Sequence, residues 1–445
     1  MEDFKWQEGT EEIEILRWDY RFQNPISHQT NLYIIYIDNK EIKYISQEGQ
    51  TLRIDKIKDG KKKPEIMINL EQIENLYWIG NYRNNQTKVG KWIATWKGKL
   101  LNSVGGYYSQ DGLKEGQWQE LFNNYFQSAQ VYEQGEYLND LRRGFWQYKY
   151  QDKLIGGGFF TEQGEKNRKW IQLSQKFYNQ SQVIYIGEYK NEKKVGIWDI
   201  FFDIEGIKKY ELVGGGVYDV QGLKGGRWID LCDHFSKNCQ VIYRGEYKNG
   251  NKFGQWDTYC RFSWNQPFEK IGGGQYDQSQ QREQKNGQWI DYNWENCLIT
   301  YHGEYNFGQK VGKWDTYYIE NLIGGGSYQK EKQLKYGKWI ELCEKFYYNS
   351  QILYTGEYLN NKKIGKWCSL FCRELIGGGN YDENKGDIKI GEWTDLSEDF
   401  GEFNQVIFYG HYKNGKKIGK WLEMFRESGE LNAGFIQTGE QYYGD

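Results

Sequence analysis

The chain repeats one phrase until little choice of architecture is left. The stretch "YRGEYKNGNKFGQW" at residues 243–256 returns as "YIGEYKNEKKVGIW" from Tyr185, "YHGEYNFGQKVGKW" from Tyr301, "YTGEYLNNKKIGKW" from Tyr354 and "FYGHYKNGKKIGKW" from Phe408. Looser copies from Trp78 and Gln134 make seven, and their tryptophans (Trp92, Trp146, Trp198, Trp256, Trp314, Trp367 and Trp421) lie 52 to 58 residues apart. Between them runs a related unit of the form GGG-x-Tyr, a variable tip, then Gly-x-Trp, with Trp118, Trp170, Trp228, Trp289, Trp339 and Trp393. A period of this length marks an array of stacked units, here about thirteen hairpins of two alternating kinds.

Strand periodicity then sets the faces. Tyr243, Gly245 and Tyr247 share one face, and Gly254, Trp256 and Thr258 share one on the returning strand. A four-residue tip would place Gly245 opposite Trp256, whereas a two-residue Asn249-Gly250 turn would place Gly245 opposite Gly254 and Tyr243 opposite Trp256. Both registers keep the same residues on the same face, and the residues alone do not choose between them. Glycine weakens a strand by ~0.5 to 1 kcal/mol. Its regular use is offset if it makes room for rings crowded on one face. The positions expected to do this are Gly187, Gly196 and Trp198; Gly245, Gly254 and Trp256; Gly303, Gly312 and Trp314; and Gly356, Gly365 and Trp367. The triple glycines are read as close-packing positions too, since none is followed by the Gly-Lys-Ser/Thr of a phosphate loop.

The string Tyr-x-Gly-Glu-Tyr-x-Asn-Gly-x-x-x-Gly resembles the MORN repeat, and the resemblance runs from about Trp78 to Phe435. Where the common repeat reads Gly-x-Gly, this chain has Gly-x-Trp, as in Gly254-Gln255-Trp256, which is similar to a divergent, tryptophan-containing variant. The triple glycines are a further departure. The resemblance implies an elongated β-meander used as a scaffold, an organiser of cytoskeletal or ciliary structures, or a surface appended to membrane-associated proteins. Lipid binding is attributed to some such repeats. Some relatives fuse them to a lipid kinase or a methyltransferase domain, and no region here has the size or motifs of either.

The expected fold is therefore all-β: an elongated, twisted single-sheet meander of about thirteen MORN-like hairpins over residues 76–436, with an N-terminal β cap at 1–75 and a tail at 437–445. About twenty-six strands at ~4.8 Å would span on the order of 125 Å. In the cap, "NLYIIYIDNKEIKYIS" reads as a hairpin about Asp38 to Lys40, and "TLRIDKI" and "PEIMIN" as short strands. Such a cap covers an otherwise exposed sheet end. After most triple-glycine units a longer connection carries Phe235, Phe346 or Phe400, expected in a short helical turn that closes the core. After Trp289 the connection is three residues shorter, and Trp294 is expected to take that place.

Charge and composition narrow the function. With 58 basic and 61 acidic residues and a net charge of -3, no whole-molecule field draws the chain to nucleic acid. The 19 Trp, 38 Tyr and 22 Phe supply the core that a disordered chain lacks. Seven cysteines without a Cys-x-x-Cys pair read as reduced, packed thiols rather than metal ligands. An amino terminus without a basic start or apolar run suggests a soluble, cytoplasmic setting.

The repeated carboxylates Glu136, Glu188, Glu246, Glu304 and Glu357 are expected to pair across strands, and Asp199, Asp257 and Asp315 recur too regularly to mark one active site. These features favour a non-enzymatic scaffold with protein partners, no cofactor and no small-molecule substrate. The alternative is a peripheral membrane adaptor that meets anionic phospholipid through the tip lysines Lys193, Lys194, Lys362, Lys363, Lys416 and Lys417. An enzyme, or a glycan binder using the aromatic rows, would instead need one asymmetric cleft.

Overall fold

The structure, a computed structural model of the chain, describes residues 9–19, 26–37, 41–56, 66–84, 86–204, 209–277, 283–293, 296–344, 346, 350–427 and 434–444. It divides into two compact units, Met1–Gly250 with Arg261–Pro267, and Asn251–Cys260 with Phe268–Asp445. Each unit contains the antiparallel hairpin meander that the repeats predict. Among the described residues, thirteen consecutive strands run from Leu76–Tyr82 to Gln240–Lys248 in the first unit. Fourteen run from Asn251–Arg261 to Ile436–Tyr443 in the second, where the last strand pairs with Lys416–Arg426.

The amino-terminal residues form a separate four-stranded antiparallel sheet of Gly9–Asp19, Ile26–Ile37, Glu41–Ser46 and Thr51–Lys56. Ile37 pairs with Glu41, as the hairpin reading requires, while its turn at residues 38–40 lies outside the described residues. The strand Gly9–Asp19 has no counterpart in the sequence reading. Nor does "PEIMIN" yield a strand: Pro64 and Glu65 lie outside the described residues, 66–68 are irregular, and Asn69 starts a short helix, Leu70–Asn75. The Asn69 side chain accepts from the Glu71 and Gln72 N–H groups at 3.0 and 3.4 Å, satisfying donors that an extended chain would have to pair elsewhere. Ile73 then fills the core beneath Ile34, Tyr36, Ile42 and Tyr44. Gln72 donates to the carbonyls of Phe122 and Asn123 at 3.1 and 3.0 Å, tying this element to the meander.

The hairpin tips have the two-residue turn of the second alternative, and a bulge behind it brings glycine to tryptophan as in the first. In the copy from Tyr185, Lys190 pairs with Lys193 across the two-residue turn Asn191-Glu192, whose φ values are 49° and 64°. The register then jumps, with Glu188 opposite Val195 but Ile186 opposite Asp199. Gly187 alone thus faces Gly196, Ile197 and Trp198. Gly196 takes φ 67°, a left-handed conformation suited to opening a bulge. The same jump occurs at Gly303 and Gly356, with Gly312 at φ 64° and Gly365 at φ 59°.

Positive φ at both turn residues favours Asn-Gly, which Asn249-Gly250 and Asn414-Gly415 supply. Phe307 departs from that preference, at φ 45° with its ring exposed. Phe307→Asn should therefore stabilise the second unit by about 1 kcal/mol. A higher urea midpoint is expected, and an unchanged or lower one would contradict this turn geometry.

The bulge lays a ring on a backbone. The indoles of Trp198, Trp314 and Trp367 cover Gly187, Gly303 and Gly356, where any Cβ would sit far inside van der Waals contact. In the triple-glycine unit each glycine meets a different obstacle: Gly216 lies under Trp228, Gly215 against the Trp198 carbonyl and Gly214 against the Ile229 carbonyl. Gly245 sits directly across from Trp228, and Gly254, at φ 65°, across from Tyr276.

The rings interlock edge to face. Trp170, Tyr189, Trp198, Tyr218, Trp228 and Tyr247 follow one another at centroid separations of 5.0 to 6.2 Å and angles of 78 to 85°. The second unit continues the alternation from Trp256 and Tyr276 to Trp421 and Tyr443. This geometry suits the ring quadrupoles and keeps the tryptophans buried.

Phe235, Phe346 and Phe400 are buried, as expected. The helical turn is not what carries Phe235 and Phe400: their connections are closed by the isolated bridges Ser236 with Cys239 and Gly401 with Asn404. The Cys232 N–H bonds across the loop to Val241 at 3.0 Å, and Phe235 and Phe400 each make one turn bond, to Cys232 and Ser397 at 3.1 Å, with no succession of helical bonds. Trp294 lies outside the described residues. All seven cysteines are free thiols, yet Cys260 and Cys297 approach to 3.0 Å, a proximity that their sequence spacing does not reveal.

Candidate functional site

Cations lie along the aromatic ladder. The Lys224 ammonium stands 4.5 and 4.7 Å from the ring centres of Trp228 and Tyr247, and it pairs with Asp230 at 2.6 Å. Tyr247 donates its hydroxyl to the same carboxylate at 2.6 Å. The arrangement recurs as Lys285, Asp291 and Tyr305; as Lys335, Glu341 and Tyr358; and as Lys389, Asp395 and Tyr412. Sequence reasoning missed these carboxylates. The signal was available, since each follows a triple-glycine-unit tryptophan by two residues and a lysine by six.

The environment of these groups is electrostatically strong. Burial pushes Glu341 up, but the hydrogen bond and charge of Lys335, with Lys363 beyond, prevail and hold it below the usual carboxylate range. Burial and the Asp230 charge together push the Tyr218 hydroxyl up to about 12.

Strand alternation divides the tip lysines that the sequence sets side by side. Lys193, Lys362 and Lys416 are exposed. Lys194, Lys363 and Lys417 turn inward, 4.3, 4.2 and 4.1 Å from the rings of Trp198, Trp367 and Trp421. Lys363 and Lys417 also reach Glu341 and Asp395 at 3.3 and 3.4 Å.

Of the repeated glutamates, Glu188, Glu246 and Glu357 stand across from Lys169, Arg227 and Lys338, and Glu136 and Glu304 from Gln117 and Gln288. Arg227 and Glu246 are 3.8 Å apart and both well exposed, a pair of small energetic weight. More telling is the backbone: the carbonyls of Glu136, Glu188 and Glu357 accept the indole N–H of Trp146, Trp198 and Trp367 at 3.1 to 3.2 Å. Asp257 and Asp315 pair with Lys270 and Lys313, each at 2.9 Å.

The second unit also holds a cavity beside the ladder. Its volume is about 460 Å³, and it opens between Asn293, Asn296 and Ile299 on one side and Trp314, Tyr328 and Trp339 on the other, with Lys310, Lys335 and Glu341 in its wall. The connection beside it is short: Tyr301 follows Trp289 by twelve residues, whereas Tyr243 follows Trp228, and Tyr354 follows Trp339, by fifteen. Among the described residues, Trp314 and Trp339 have no acceptor for their buried indole N–H. Ring faces with a few donors suit an apolar or aromatic group that brings its own acceptor.

Among the described residues, no cluster of His, Cys, Asp and Glu could hold a metal ion, and no helix is long and apolar enough to cross a membrane. No protein-family model matches the chain, and a search of the curated proteins found no match.

Proposed function

We propose that this chain is a non-enzymatic interaction scaffold of MORN-like repeats, working within a cytoskeletal or ciliary assembly. The observation that carries this reading is the sameness of the charged groups. Lys224 with Asp230, Lys285 with Asp291, Lys335 with Glu341 and Lys389 with Asp395 repeat one geometry, whereas catalysis calls for a single asymmetric constellation. The resemblance to the MORN repeat supports the assembly role. Specificity is expected at the tips of the triple-glycine units, which vary in length between Tyr218 and Gly226 and between Tyr276 and Gly287. Proximity labelling with the tagged protein in its native cell, followed by cross-linking, tests the reading. Enrichment of cytoskeletal or ciliary proteins with cross-links spread over many repeats is expected; enrichment of membrane proteins alone would contradict it.

A membrane-adaptor reading draws support from the exposed Lys193, Lys362 and Lys416. It is weakened by the inward turn of Lys194, Lys363 and Lys417. Co-sedimentation with phosphatidylserine vesicles that fails at high salt and in a variant with the three exposed lysines changed to serine would favour it. No co-sedimentation at low salt would remove it.

A further inference from the structure

The rung at Trp170 breaks the charge pattern of the ladder. At four other rungs one carboxylate holds a cation from each side. Glu120 meets Lys114 and Arg142 at 2.5 and 2.9 Å, and Asp291 meets Lys285 and Lys310 at 2.5 and 3.7 Å. Glu341 meets Lys335 and Lys363 at 2.5 and 3.3 Å, and Asp395 meets Lys389 and Lys417 at 2.6 and 3.4 Å. The residue two beyond Trp170 is Gln172, a neutral amide.

Everything else at that rung is in place. Tyr189 donates to the Gln172 Oε1 at 2.6 Å, as Tyr305 and Tyr412 donate to Asp291 and Asp395. Lys166 lies 5.2 and 5.3 Å from the rings of Trp170 and Tyr189, and Lys194 lies 4.3 and 5.2 Å from those of Trp198 and Tyr185. The nearby carboxylates are engaged otherwise: Glu192 accepts from the backbone N–H of Lys166 at 2.5 Å, and Glu133 pairs with Arg142 at 2.6 Å. Burial, and then the like charges of Lys166 and Lys224, lower Lys194 to about 8, so its charge is poorly compensated. Burial also lowers Lys166, against the opposing pull of the Glu192 and Glu133 charges.

We infer that this rung is a binding site for an external carboxylate, which enters beside Gln172 and bridges the ammonium groups of Lys166 and Lys194. A carboxylate is the group that fits, because the chain itself sets an Asp or Glu side chain between the same two cations at the four equivalent rungs. Two half-buried ammonium groups over ring faces give it charge-assisted hydrogen bonds in a place of reduced water access. The carboxylate comes from an acidic side chain of a partner protein or from a small free acid. The inference does not depend on the scaffold reading.

The test follows the acylation of Lys166 and Lys194 in the full chain with an amine-reactive ester, read by mass spectrometry. Sodium acetate is compared with sodium chloride at equal ionic strength, and a glutamate-rich peptide with its glutamine counterpart. Acetate should slow labelling of both lysines about fivefold relative to chloride while leaving the exposed Lys193 unaffected. Protection by the glutamate peptide at about tenfold lower concentration than acetate identifies a partner side chain as the source, and protection by acetate alone identifies a small free acid. Gln172→Glu supplies the carboxylate that the other rungs carry, so it should slow labelling already in chloride and abolish the response to acetate. Equal labelling in acetate and chloride, or an undiminished acetate response in Gln172→Glu, would overturn the inference.

Discussion

Alanine at Gly325 should destabilise the second unit by roughly 3 to 5 kcal/mol. Gly325 has φ 132°, a conformation nearly confined to glycine, and an added Cβ would run into the backbone carbonyl of Trp314. The backbone cannot step aside, because Asp315 pairs with Gly325 and Trp314 with Gly326 in the same ladder. The identical substitution should cost far less where the obstacle is missing. Gly312 has φ 64° and open space around the absent Cβ, so Gly312→Ala should cost about 1 kcal/mol from the backbone alone. Gly225 has open space and no positive φ, so Gly225→Ala should be neutral or slightly stabilising. Unfolding midpoints in denaturant should rank the three in that order; a common loss at all three would contradict the packing account.

Glu374→Leu should cost the second unit about 3 kcal/mol by removing the counter-charge of a buried arginine. The Arg426 side chain is 1% exposed. Its Nε donates to Gln405 at 2.6 Å, and one terminal nitrogen donates to both oxygens of Glu374 at 2.9 and 3.0 Å. Glu374 is itself 41% exposed, which sets the cost at the lower end for a broken buried pair. Adding Arg426→Met removes the cation as well and should restore most of the loss. A double variant as unstable as the single would contradict the assignment. The first unit repeats the clamp with Arg261, Gln240 and Glu211 at 2.6 and 2.7 Å, so Glu211→Leu should behave alike.

The clamp marks the limit of what the sequence made legible. Arg426 and Glu374 are 52 residues apart and carry no common motif; only the pairing of several hairpins brings them together. Tryptophan and glycine at a fixed offset, by contrast, were readable as partners on one face. Their mutual arrangement was not, because a period of two cannot predict that one glycine will face three residues. The same arithmetic concealed the inward turn of Lys194, Lys363 and Lys417, which looked like equals of their exposed neighbours. Asp230 and its counterparts are less conspicuous in sequence than the more regular glutamates, whose backbone carbonyls rather than carboxylates meet the tryptophans. The cavity beside Trp314 was foreshadowed by a short connection, but its walls come from residues spread between Asn293 and Phe346.

The central claim is that the repeated glycines exist to receive the tryptophan rings, and a double-mutant cycle at Gly356 and Trp367 tests it most directly. At Gly356 the backbone is ordinary and the nearest obstacle to a Cβ is the Trp367 ring. Gly356→Ala alone should cost about 2 to 3 kcal/mol by overpacking, and Trp367→Ala alone about 3 to 5 kcal/mol. With the ring gone the added methyl has room, so the double variant should be about as stable as Trp367→Ala, a coupling of about 2 to 3 kcal/mol. Losses that simply add would contradict the account.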